Sequence, residues 1–405
     1  MRKTKICCGL DVHKETIFAA INKRGRHQEV KEFGAFTSDI EALSDWLQEN
    51  KVSHVAMEST GVYWIPVWNV LERRGFKLIL VNPYLIKQMP GRKSDVKDSQ
   101  WIAQLLFKDM LRGSLIPDTH IRELRTYSRE YVYKHRQIVR IEVAMERILE
   151  QANIRITSVA SKIGGASVLK IIRQIISGQT HAEELFKSVH GIIVKRKGKE
   201  KILSSLQGCI REEHRYVLKQ KMEEYDLLIK QMTELENKMF SFCNERYKKE
   251  MELLQTIPGI KEQSAMQIIA ETGGDMTKFE NSGKLTGWAG LRPRNDESAG
   301  KIKSKATTKG NKYLRRIIVQ TAWAASRTRG SYFNNQFQKL VIRKGSKKAL
   351  IAIARKQLTV VWNILAHKEI YNAELQPVYS ANQIDKQMKY YQGRIQELSK
   401  RKAGL

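Results

Sequence analysis

Between residues 4 and 110, short apolar runs alternate with stretches whose apolar positions recur at helical spacing. The runs near 5–11, 16–22, 28–34, 53–58 and 77–82 predict strands. Thr16 to Ile21 followed by Arg24-Gly25-Arg26 predicts a strand closing on a tight turn. Ile40, Leu43, Trp46 and Leu47 predict a helix over 38–49, with Ser38 as its expected N-cap. A second helix is expected after Pro66, ending near Arg74-Gly75. A third is expected from about Ser94, with Ile102, Leu105, Leu106 and Met110 on one face.

Three strands, then helix, strand, helix, strand, helix is the order of a ribonuclease-H-like architecture. Residues 120–250 read as almost wholly helical. Arg122 to Asn153 is a long basic amphipathic segment, and the pattern breaks at Gly164-Gly165, Gly178 and Gly191. From Arg211 to about Cys243 a heptad row runs through Leu218, Tyr225, Met232 and Met239, and a second through Leu228, Leu235 and Phe242, with Lys221 breaking it. The rows fit an intermolecular coiled coil or an internal antiparallel hairpin with 122–153. Near Ile257-Pro258-Gly259-Ile260 the sequence is similar to a helix-hairpin-helix, whose exposed backbone N–H groups could hold a DNA phosphate. An ordinary packing unit is the alternative. The expected fold class is therefore α/β plus all-α. It comprises a ribonuclease-H-like domain over 1–112, a helical or coiled-coil middle over 120–250, a mostly helical C-terminal domain over 251–370, and a charged tail over 371–405.

Composition narrows the function. The 405 residues hold 72 Lys+Arg against 42 Asp+Glu, a net of +30. Residues 1–110 account for only +4, so the later part is the expected polyanion-binding surface. The block 291–330 has 11 Lys+Arg opposed only by Asp296 and Glu297. No run of about 18 apolar residues is present, so no membrane span is expected. The four cysteines lack CxxC spacing, which argues against a zinc site or disulfide framework and fits a cytoplasmic, nucleoid-associated protein.

Against this basic background four carboxylates stand out. Asp11 ends the apolar run Ile6 to Leu10, Glu58 ends His54 to Met57, and Asp95 and Asp98 share one helical face about 5–6 Å apart. In the expected topology the first strand and the strand after the first helix are neighbours, which would bring Asp11 and Glu58 together. Such a set could hold one or two divalent cations against a phosphodiester. Individually each could be a cap or a surface charge. Downstream, Ser298-Ala299-Gly300 lies in a small, flexible, strongly basic loop. A serine there could attack a phosphodiester, with cations stabilising the developing charge. On chemistry alone Ser298 has little claim over Ser304, Thr307 or Thr308. The cations expected to meet nucleic acid are Arg292, Arg294, Lys301, Lys303, Lys305, Lys309, Lys312, Arg315 and Arg316, together with the backbone at Pro258 and Gly259.

Three N-terminal blocks carry a resemblance: Gly9 to Lys14, Met57 to Trp64, and Lys93 to Asp98. So do Ile257 to Ile260, Trp288 to Pro293, Glu297 to Gly300, and Lys309-Gly310-Asn311 to Leu314-Arg315. Together, up to about residue 370, they resemble the DEDD transposases of the IS110 insertion-sequence family. The resemblance implies a RuvC-like domain whose Asp11, Glu58, Asp95 and Asp98 bind Mg2+ (or Mn2+). It also implies a serine nucleophile at Ser298, although this chain has Ser-Ala-Gly where the family often has Ser-Gly-Gly. Double-stranded DNA at element ends and target, a structured guide RNA, and a dimer or tetramer are the implied partners. Two other readings remain at this stage. One is a metal-dependent Holliday-junction-type nuclease without a covalent intermediate, the other a non-enzymatic DNA-bridging protein.

Overall fold

The structure is a computed structural model. It describes residues 5–23, 25–59, 61–82, 95–294, 296–298, 301–304, 306–372 and 381–403, with backbone only at 26–28, 95–97, 296–298, 301–303, 381–384, 386–387, 394 and 400–401. The chain divides into two compact units, Met1–Pro117 and Asp118–Leu405.

The first unit runs β1 (Ile6–Val12), β2 (Thr16–Lys23), β3 (Arg26–Gly34), α1 (Thr37–Glu49), β4 (His54–Glu58), α2 (Trp64–Arg73), β5 (Lys77–Val81) and α3 (Asp95–Phe107). Its strands lie in the order β3-β2-β1-β4-β5. β1 pairs antiparallel with β2, and β2 with β3, while β4 and β5 run parallel to β1. This is the ribonuclease-H-like order expected from the sequence. β1 is buried along nearly all of its length, as a central strand covered on both faces must be. On one face Cys8, Leu10, Val12, Val55 and Met57 pack beneath residues of α1 and α2 such as Leu43, Leu47, Val67 and Leu71. On the other, Cys7, Ala56 and Val81 pack against Ile102 and Leu106 of α3. Each such aliphatic side chain contributes about 1.5–3 kcal/mol by leaving water. Helix α1 does not start at Ser38. Its N-cap is Phe36, whose backbone N–H donates to Asp39 Oδ2 at 3.2 Å, so the carboxylate at the third helical position satisfies the cap residue's own N–H.

The second unit is mostly helical: α4 (Thr119–Gln151), α5 (Ala166–Ile176), α6 (Ala182–Phe186), α7 (Gly191–Lys197), α8 (Lys199–Leu206), α9 (Glu212–Arg246), α10 (Lys248–Gln255), α11 (Glu262–Thr272) and α12 (Ser282–Trp288). A hairpin, β6 (Asp296–Ser298) and β7 (Lys301–Ser304), follows, then α13 (Lys312–Ala325), α14 (Tyr332–Lys344), α15 (Ser346–His367) and α16 (Ala381–Ala403). The heptad segment becomes α9, and it pairs with α4 inside the chain. The pair is antiparallel. Met145 and Leu149, late in α4, share a core with Leu218, Met222 and Tyr225, early in α9. At the other end Lys238 lies 5.0 Å from the Tyr127 ring. Ile171, Ile172 and Ile175 of α5 and Ile202 of α8 complete this core. Helix α15 has 22 residues, and an 18-residue window in it has a mean hydropathy of 1.3, long and apolar enough by composition to cross a membrane. It is not an unbroken apolar run, because Arg355 and Lys356 fall within it, as the sequence expectation has it. Ala349, Ile353, Ala354, Leu358, Val361 and Leu365 of this helix are buried within the second unit.

Candidate functional site

The acidic edge of the first unit follows from strand register. Leu10 of β1 is level with Met57 of β4 in the parallel ladder, so the next residues, Asp11 and Glu58, stand beside each other at the carboxyl ends of adjacent strands. Alternation along β1 puts Asp11 on the face of Cys7 and Gly9, the face that α3 covers. Helix α3 can lie that close only because residue 9 is glycine. A Cβ there would meet Ser99 O at 2.2 Å and Ala103 N at 2.4 Å. The sheet therefore receives α3 directly over β1, and half-buried Asp98, next to fully buried Ser99, rides on that helix. Asp11 is 9% exposed, and its Oδ2 lies 3.2 Å from His13 Nε2. The Asp95 backbone opens α3, one turn before Asp98. An all-carboxylate donor set suits a hard divalent cation such as Mg2+. Among the residues whose side chains are described, no three His, Cys, Asp or Glu are gathered closely enough to hold an ion. The cysteines are all free, and Cys7, Cys8 and Cys243 are buried. Burial raises the thiols of Cys7, to about 11, and Cys243, to about 12.

In the second unit, Ser298 closes a β-hairpin rather than sitting in an irregular loop. β6 and β7 pair antiparallel, Glu297 with Ile302 and Ser298 with Lys301. The ladder continues toward the base. Arg294 N–H donates to Ala306 O at 3.0 Å, Thr308 N–H donates to Arg292 O at 2.9 Å, and Pro293 bridges Thr307. Two glycines make the base. Gly290 has a φ of +70°, and a Cβ on Gly310 would meet Gly290 N and Trp288 O, each at 2.4 Å. Asn311 N–H donates to Trp288 O, and the Arg315 guanidinium donates to Gly290 O. Lys305 lies outside the described residues, and of Lys301 and Lys303 only the backbone is described. Arg292, Arg294, Lys309 and Lys312 are exposed around the hairpin base. Burial, followed by the nearby Arg136, pulls the Arg316 guanidinium below its ordinary value.

A buried carboxylate anchors this base. Glu271, at the end of α11, is 1% exposed. It accepts Arg129 Nε and Nη2 at 3.0 Å each and Asn311 Nδ2 at 2.6 Å. Arg125 donates to the carbonyls of Ala270 and Glu271 that end the same helix. The Arg129 guanidinium also lies 4.4 Å from the Tyr313 ring. Asn311 caps α13 by accepting from Tyr313 N–H and Leu314 N–H. One network thus joins α4, α11 and the helix that follows the hairpin. Sequence reasoning passed over Glu271. The available signal was an acid in a helix's last turn, where the helix dipole disfavours negative charge and a cation must compensate.

The turn between α10 and α11 has a packing role. Gly259, with a φ of +86°, faces the α13 backbone, and a Cβ there would meet Thr321 O at 2.3 Å. Pro258 O accepts from Gln357 Nε2 at 2.9 Å, and Thr321 Oγ1 donates to Gln357 Oε1 at 2.8 Å. Gln357 is fully buried. Pro258 and Gly259, read from the sequence as DNA contacts, also dock the helical hairpin on α13 and α15.

Residues 8–154 match the IS110-type DEDD transposase family, and residues 251–338 match the family described as Transposase IS116/IS110/IS902. The transposase for insertion sequence element IS1111A of Coxiella burnetii is 29% identical over 29% of this chain and 33% of its own length. The insertion element IS900 42 kDa protein of Mycobacterium paratuberculosis is 30% identical over 30% of this chain and 31% of its own. A pilin gene-inverting protein of Moraxella bovis is 27% identical over 36% of this chain and 46% of its own. The chain spans less than half the length of these curated relatives. Among solved structures, T. thermophilus RuvC in complex with Holliday junction substrate is similar over 27% of this chain and 99% of that one, at 11% identity and a TM-score of 0.23. The first family match takes in the acidic sheet edge and the second takes in the serine hairpin with its base, and with both in their order the chain belongs to the IS110 family of DEDD transposases.

Proposed function

We propose that this chain is the recombinase of an insertion sequence, cutting and rejoining DNA through a phosphoserine link at Ser298 aided by the acidic edge. The observation that carries this reading is the hairpin register. It sets Ser298 opposite Lys301 at the end of a two-stranded arm, in a chain that also has Asp11 and Glu58 level at a sheet edge. In the forward step the serine hydroxyl gives up its proton as its oxygen bonds to phosphorus, the bond from phosphorus to a deoxyribose oxygen breaks, and that oxygen takes up a proton in balance. Reversal with a different deoxyribose hydroxyl rejoins the strand and returns the serine. The phosphodiester energy is conserved, so no nucleotide cofactor is needed. Arg292, Arg294, Lys309 and Lys312 stand around the hairpin base and offset the charge that develops on the phosphate. Asp11, Glu58, Asp95 and Asp98 would hold Mg2+ (or Mn2+), which when bound would neutralise phosphate charge. The relative named for inverting a pilin gene supports a recombination reading over simple cleavage. Element ends and target duplex, a structured RNA from the element and a homo-oligomer are the partners this function calls for.

The test is incubation of the full-length protein with labelled element-end DNA, with and without Mg2+, followed by denaturing electrophoresis. A covalent protein–DNA adduct, absent in Ser298→Ala and in Asp11→Asn, is expected. Free 5′-phosphate ends without adduct, retained in Ser298→Ala, would replace this reading with a metal-dependent nuclease. No adduct and no cleavage by the unaltered protein, with DNA binding unchanged in Asp11→Asn and Glu58→Gln, would leave only DNA bridging.

A further inference from the structure

From Ser298 to Lys368 the chain carries 17 Lys+Arg and no Asp or Glu. The fold gathers part of this charge around a cleft. The base of the hairpin, at Leu291, Pro293 and Thr307, faces α15 across a cleft of about 700 Å³. Its walls carry Arg315, Lys344, Lys347, Lys348, Arg355 and Lys356. On α15 the lining positions recur every four residues, Lys347, Ile351, Arg355 and Thr359, with Lys348, Ala352 and Lys356 beside them, so one helical face is turned to the cleft. Six like charges facing one cleft repel each other, and with no acid in the segment to offset them the complement is a polyanion.

Lys347 also lines a second cleft, of about 400 Å³, whose apolar wall is Val319, Trp323 and Leu350. Trp323 is 38% exposed. The Arg327 guanidinium lies 4.2 Å from its ring centroid, and Phe337 meets the ring edge-on. An indole held by its neighbours, partly open to solvent and one lysine away from a cationic cleft is the arrangement that stacks an unpaired base. A duplex could satisfy the cations, but its bases are stacked on one another and do not reach the ring.

We propose that the α13–α15 face binds a single strand of nucleic acid, with phosphates in the cationic cleft and an unpaired base on Trp323. The site stands whether or not Ser298 is a nucleophile, so its failure and the failure of the recombinase reading are separate results. The test uses full-length protein and fluorescein-labelled 12-mers of one sequence as DNA, as RNA and as duplex DNA, read by anisotropy. Trp323→Ala weakens single-strand binding roughly 5–150-fold, the range for loss of one stacked base, and leaves duplex binding unchanged. Trp323→Phe, which keeps a ring, retains most of the affinity. Lys347→Ala with Lys348→Ala lowers the slope of log affinity against log salt for single strands by roughly 1.4. Ultraviolet crosslinking of a 5-iodouracil-substituted strand to the unaltered protein attaches it to the tryptic peptide Ile317–Arg327, a readout that needs no variant to fold. A preference for the ribo- or the deoxy-strand supports the site and names its occupant. Crosslinks confined to other peptides overturn it, as does an equal loss of duplex and single-strand binding in Trp323→Ala.

Discussion

At the scale of single residues, the two positions with the largest structural consequences are a glycine and a buried acid. Gly9→Ala places a methyl group against the α3 backbone at Ser99 and Ala103, where no side chain can give way. The helix must shift, at about 1–3 kcal/mol of stability, and Asp98 shifts with it relative to Asp11. Thermal unfolding and the DNA-adduct assay together check this. Adduct formation should fall further than stability, and an unchanged yield would show that α3 does not position the acidic edge. Glu271→Ala leaves Arg125 and Arg129 without their carboxylate and Asn311 without its acceptor. Removing one partner of a buried pair costs about 3–5 kcal/mol. Arg129 is 39% exposed and can rehydrate, so the lower end, about 3 kcal/mol, is expected in urea unfolding. Glu271→Gln keeps one acceptor for Asn311 and should cost about half as much. A loss under about 0.5 kcal/mol in the alanine variant would mean that the network is not structural.

At the scale of elements, the serine hairpin depends on the paired glycines at its base. Gly310→Ala drives a Cβ into Gly290 N and Trp288 O, so the ladder from Arg292 to Thr308 should open while the helices persist. Far-ultraviolet circular dichroism should be nearly unchanged and adduct formation lost. Gly287→Ala is the control. Nothing lies within 4 Å of its added methyl, and it sits within α12, so it should keep activity and gain up to about 1 kcal/mol. Equal activity in both variants would detach the hairpin from function. The same elements show where the sequence is readable. The five strands and the level pairing of Asp11 with Glu58 were legible because apolar runs and strand order depend on local pattern. The hairpin was read as a loop because its pairing holds few apolar residues, only Ile302 standing out between the lysines of β7. The partner of α9 was undecidable because a heptad row presents the same face to α4 as to a second chain. The link from Gln357 to Pro258 spans 99 residues and leaves no periodic trace.

At the scale of the whole molecule, charge is the property composition gave most directly and location least. The net of +30 announces a polyanion partner, yet more than half of it lies in the 71 residues from Ser298 to Lys368. That segment folds into the hairpin, its base and the α13–α15 face, so the charge is concentrated in the second unit around the candidate serine rather than spread as a solvated shell. A concentrated field and a diffuse one differ in salt dependence. Each phosphate neutralised in duplex DNA releases counterions and adds about 0.9 to the magnitude of the log–log slope of affinity against salt. Six to ten phosphates held by this segment would give a slope near −5 to −9. Affinity for a non-specific duplex would then fall about 10³–10⁵-fold between 50 and 200 mM salt. Fluorescence anisotropy across that range measures it. Exchanging Arg292 and Arg294 for alanine should lower the magnitude by about 1.8, while Asp11→Asn, remote from this segment in sequence and in the other compact unit, should leave the slope unchanged. A slope shallower than −2 in the unaltered protein would place the excess charge in solubility, and the segment would then lose its claim to hold DNA beside the candidate serine.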